Sequence, residues 1–63
     1  MNPLLWLFPP AASKAEIRAE IWRLGSRHLG EPLKGAKEEL KAPGLTRARA
    51  ELLRAVVDQL RAA

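Results

Sequence analysis

The sequence predicts an all-α fold: a small helical hairpin with a short middle helix, three helices over about 13–29, 32–41 and 46–62, preceded by an extended apolar, Pro-rich arm over 1–12. Apolar residues recur at helical spacing in the first and last stretches. Pro and Gly punctuate the chain between them. No strand-like alternation occurs anywhere. Residues 13–63 are therefore read as one small helical domain.

The arm, MNPLLWLFPPAA, carries no charged side chain and holds three of the five prolines and two of the three aromatics. Pro9 and Pro10 lack amide donors and fix φ, and Pro3 restricts Asn2, so the segment is expected to be extended. Leu4, Leu5, Trp6, Leu7 and Phe8 run together. Burying each would contribute about 1.5–3 kcal/mol before entropy, and left in water they would form an association-prone patch.

The first helix opens at Ser13. Ser13-Lys14-Ala15-Glu16 is a capping box, in which the hydroxyl meets the amide three residues on and Glu16 reaches back. Ile17, Ile21, Leu24 and His28 share one narrow stripe, which Trp22 and Leu29 widen on one side. Gly30 is the expected left-handed C-cap. Pro32 would clash with the carbonyl of His28 if the helix continued, and Pro is favoured as the first residue of a new one. A break at Gly30-Glu31 and a second helix follow, with Leu33, Ala36 and Leu40 as its thin apolar stripe.

Pro43-Gly44 marks a turn, and Thr46 caps the last helix. Leu52, Leu53, Val56, Val57 and Leu60 fall on one arc of about 140° at helical spacing, opposite Arg47, Glu51, Arg54, Asp58 and Arg61. Arg47/Glu51 and Arg54/Asp58 are i,i+4 pairs of opposite charge, each worth about 0.2–0.5 kcal/mol. Such a helix has to pack on something.

Size restricts what this set of helices can do. A 63-residue chain is one domain at most, and domains near 60 residues bury only about 60% of their unfolded surface. Scaffolds this small usually need a disulfide, a metal or a partner. The chain has no Cys, one His and seven scattered carboxylates, so neither a disulfide nor a structural metal site is expected. A larger protein partner or self-association remains as the staple.

Catalytic patterns are missing. Gly25, Gly30, Gly35 and Gly44 are isolated and form no phosphate loop. A Ser-His-Asp set would need Ser26, His28 and Asp58, but Ser26 and His28 point away from each other on a helix. Glu38 and Glu39 are adjacent and diverge, so no paired-carboxylate acid–base arrangement is available. The expectation is a non-catalytic protein with no cofactor, no metal and no small-molecule substrate. His28 reads as a half-buried helix-end histidine whose charged form suits the C-terminal dipole.

The net charge of +4 and pI of about 10.4 suit an acidic surface but are mild. Arg47 and Arg49 stand at a helix start, where cations oppose the dipole. That suggests an external anion or a partner's carboxylate, beside the plainer and preferred reading of two solvated arginines. Trp22 is expected to cover the core edge, with an exposed interface anchor as its other role.

The leading expectation is a small accessory or assembly subunit that docks on a larger protein or complex. Partner-binding residues would be Leu4, Leu5, Trp6, Leu7, Phe8, Trp22, Arg47 and Arg49. The first alternative is a peripheral membrane-surface protein anchored by the Trp/Phe/Leu arm, though no Lys or Arg flanks it. The second is a basic nucleic-acid-binding accessory protein, which the lack of aromatics among the arginines disfavours. With its own Met, no signal peptide pattern and no apolar stretch of about 20 residues, the chain reads as a complete small cytoplasmic protein, with membrane association as the variant.

Overall fold

A computed structural model describes residues 12–62. Three helices account for most of them: α1 Lys14–Arg27, α2 Pro32–Leu40 and α3 Arg47–Ala62, each touching the other two. The all-α class and the order of the three helices are as the sequence predicts. The arm's expected extended form lies outside the described residues, apart from Ala12, which packs against the core. Among the described residues no helix is long and apolar enough to cross a membrane.

The caps form where the side-chain chemistry places them. Ser13 Oγ accepts from the Glu16 amide at 3.1 Å, and Thr46 Oγ1 accepts from the Arg49 amide at 3.1 Å. Each satisfies one of the donors a helix start leaves open. Pro32 is the first residue of α2, where its missing donor is harmless. The last turn of α2 tightens, with the Lys41 amide donating to the Glu38 carbonyl at 3.1 Å and the Ala42 amide to that of Glu39 at 3.1 Å. Gly44 then takes φ 74° in the Pro43-Gly44 turn.

The end of α1 departs from expectation. Left-handed backbone begins at Leu29 (φ 55°) and continues into Gly30 (φ 80°). The Gly30 amide donates back to the Gly25 carbonyl at 2.7 Å, so Leu29 occupies the position where glycine is the usual choice. The first helix thus stops at Arg27 with His28 as its cap, slightly short of the predicted Leu29. The reversal is what turns α2 back across α1.

The core is lean. Ile17, Leu24, Ala36, Leu53 and Val56 are its buried apolar residues, with Ile21, Leu40, Leu52, Val57 and Leu60 packed around them half-buried. The centre of the predicted α3 arc, Leu53 and Val56, is fully enclosed, and its flanks are half-exposed. Gly35 is buried because the His28 ring lies against it, and a Cβ there would overlap the ring's Cδ2 and Cγ. A small residue on α2 is what lets α2 approach the end of α1.

Trp22 corrects the sequence reading. It is 73% exposed and does not cover the core edge. The position beside the core that α1 fills is taken by Glu20, only 1% exposed. The Arg54/Asp58 pair does not close, whereas Arg47 Nε reaches Glu51 Oε1 at 3.3 Å.

Candidate interaction surfaces and the charged core

The burial of Glu20 has a direct electrostatic explanation. An unpaired carboxylate in an apolar interior costs several kcal/mol, but this one meets three arginines. Arg49 Nη2 approaches its Oε2 at 2.7 Å, Arg27 Nη2 reaches the same oxygen at 3.2 Å, and Arg23 Nη2 lies 3.1 Å from Oε1. Arg49 and Arg27 also reach Glu39 on α2, at 2.8 and 3.1 Å. The Glu39 carboxylate further accepts from His28 Nε2 at 2.7 Å, which fixes the proton on that ring nitrogen because a carboxylate has none to give.

Two carboxylates bridged by two arginines therefore join all three helices. Each acid responds accordingly. The Arg49 hydrogen bond lowers the Glu20 pKa, against the opposing effect of burial, with Arg23 and Arg27 adding to the lowering. At Glu39 burial works against the charge, but hydrogen bonds from His28, Arg49 and Arg27 outweigh it and hold the group at about 2. The Arg49 pKa is raised, first by its bond to Glu20. Among the described residues no buried side-chain polar atom is left without a partner. These acids are held ionised and engaged by cations, an arrangement that fastens helices and leaves neither acid poised to exchange a proton near neutrality.

This cluster determines where the predicted site residues stand. Arg49 corrects both expectations: it is neither a solvated arginine nor held by an external anion, because its guanidinium closes on Glu20 and Glu39 of its own chain. Arg47, one turn-face away, is exposed and pairs only with Glu51. Trp22 stands in solvent. Leu4, Leu5, Trp6, Leu7 and Phe8 lie outside the described residues. The structure therefore does not bring Trp22, Arg47 and Arg49 together into one site.

Sequence reading missed Glu20 and Glu39. Glu20 reads as one of the charges interleaved along the first helix, and the one available signal, cations at a helix start, pointed to an anion outside the chain.

Two apolar surfaces remain. An open groove of about 830 Å³ lies between α2 and the end of α3, lined by Pro32, Leu33, Leu40 and Leu60 together with charged residues of both signs, Glu31, Glu38, Lys34, Lys37 and Lys41. The second is the outer side of α1, where Trp22 is exposed; Leu29, just past the helix end, is 95% exposed. Among the described residues no group of three His, Asp or Glu side chains could hold a metal ion. No protein-family model, curated protein or solved structure matches the chain.

Proposed function

We propose that the protein is a non-catalytic protein–protein interaction module, a small cytoplasmic accessory or assembly subunit that docks on a larger partner. One observation carries this reading: the bundle encloses a glutamate and leaves a tryptophan in solvent. A bundle that buries five apolar residues among those described would gain from enclosing Trp22, since aromatic side chains offer the largest apolar area. Its placement outside suits contact with another molecule, where Trp is enriched among the residues that carry binding energy. The sequence also supplies the apolar run Leu4–Phe8, and the α2–α3 groove offers a concave apolar site.

The basic residues support this reading over nucleic-acid binding. Arg23, Arg27 and Arg49 are engaged by Glu20 and Glu39 within the chain, which reduces the charge available to phosphates.

The test is affinity capture by the full chain beside its Trp22→Ser and Trp6→Ser/Phe8→Ser variants, followed by reconstitution with the captured protein. A specific partner that forms a stoichiometric complex with the wild type and is lost by either variant supports docking through the apolar residues that variant removes. Equal recovery with all three chains, or binding only to anionic vesicles or nucleic acid, overturns it.

A further inference from the structure

The outer face of α1 is nearly devoid of charge. At 100° per residue, Ala15, Ala19, Trp22 and Ser26 fall within about 60° of one another, on the side opposite Leu24. All four are exposed, and Leu24 is fully buried. Arg18 borders this strip. Glu16 and Arg23 lie together on its other flank. Most solvent-facing helix surfaces carry their charge at the centre; this one carries a tryptophan between small residues, with charge at the edges.

The strip is complementary to itself in one orientation. Place a second α1 antiparallel, with the twofold axis between Ala19 and Trp22. Trp22 then covers Ala19 of the other copy, and Ser26 covers Ala15. Arg18 falls beside the other indole, in position for a cation–π contact. Equal flanks face each other in an antiparallel helix pair, so Glu16 lies near Arg23 of the other copy at both ends, where that half-exposed guanidinium, which already holds Glu20 at 3.1 Å, would be shared between the two acids. A parallel pair would instead set indole against indole and Ala19 against Ala19, and, because opposite flanks then face each other, would bring Arg18 near Glu16. Large meets small only in the antiparallel arrangement, which is the self-complementarity a twofold interface requires.

We infer that the protein self-associates as an antiparallel dimer through the outer face of α1, with Trp22 as the central anchor. A single helix pair buries less than the roughly 800 Å² per partner of a standard stable interface. The dimer is therefore weak, monomeric at low micromolar concentration and populated towards the millimolar range. This goes beyond docking on a larger protein and stands if that docking fails.

Sedimentation of the full chain over a concentration series tests it. The weight-average mass rises from the 7.0 kDa of one chain towards twice that value, and Trp22→Ser and Ala19→Glu each weaken association about tenfold or more. Both positions are exposed, so circular dichroism and thermal unfolding of the two variants stay close to wild type. Trp6→Ser/Phe8→Ser serves as the comparison, since it alters the arm and leaves α1 intact. The chain has no native Cys, so Lys14→Cys, exposed and outside the strip, with a spin label reports orientation. An antiparallel pair sets the two Lys14 Cα atoms about 20–25 Å apart, and a parallel pair about 10–12 Å. A mass that stays at one chain up to about 1 mM overturns the inference, as does undiminished association of Trp22→Ser or the short, parallel distance.

Discussion

Arg49 on α3 closes on Glu20 of α1 at 2.7 Å, and this contact makes an internal glutamate tolerable in a bundle with few apolar residues to spare. The guanidinium reaches Glu39 of α2 at 2.8 Å as well. One arginine thereby holds all three helices, in a chain that has neither a disulfide nor a metal cluster among its described residues. The awkward position of Arg49 in the first turn of α3 is compensated by two carboxylates of its own chain.

Breaking this pair from one side should be far worse than removing it. Glu20→Ala leaves Arg49 and Arg27 facing a vacated site and is expected to cost about 3–5 kcal/mol, enough to unfold much of a small domain. The double variant Glu20→Met/Arg49→Met replaces the pair with apolar volume and should recover most of that loss. Urea denaturation of the single and double variants closes the cycle. Additive losses would show that the two residues do not act together.

Gly35→Ala inverts an ordinary helix rule. Alanine in a helix interior normally stabilises by roughly 0.5–1 kcal/mol over glycine. Here the new Cβ meets the His28 ring, so the variant should lose about 1–3 kcal/mol by overpacking. His28→Ala placed in the same chain should relieve that clash, and thermal melts of the two chains would reveal it. An unchanged or raised midpoint for Gly35→Ala alone would contradict the close approach.

The α1 terminus offers a gain. Leu29 sits at φ 55° with its side chain 95% exposed, and a left-handed non-glycine residue costs about 1–2 kcal/mol. Leu29→Gly should therefore stabilise the monomer by about 1 kcal/mol. Gly30→Ala, at φ 80°, should destabilise by a similar amount. Chemical denaturation midpoints moving in opposite directions are the expected result.

Acid should undo the cluster. Glu39 is held at about 2 against an ordinary 4.5, and Glu20 is lowered too. A depressed folded-state pKa contributes stability that is complete above the unfolded value and disappears as pH falls through the folded one. The loss therefore falls between about pH 4.5 and 2, and Glu39 alone accounts for on the order of 3 kcal/mol. Denaturation curves collected down that range should show it, and Glu39→Gln should flatten the slope. A stability unchanged between pH 5 and pH 2 would be incompatible with the ionised cluster.

The sequence by itself determined the helices, where each begins and the turn before α3. Ser13 and Thr46 supply oxygens to open amides, Pro32 can start a helix but not continue one, and Gly44 accepts the left-handed turn; these are interactions within four residues, so local order reveals them. The α3 arc was legible for the same reason, because its period is set by backbone geometry alone. What only the tertiary structure decided is which sides of the helices meet. Leu29, taking the left-handed conformation, and Gly35, admitting the His28 ring, set how α2 crosses α1. That crossing brings Glu39 to Arg27 and Arg49, draws Glu20 inside and turns Trp22 outward. Charge pairs between helices depend on inter-helix angle and approach, which no residue spacing along one helix encodes, so the exposed tryptophan and the charged core became visible only in three dimensions.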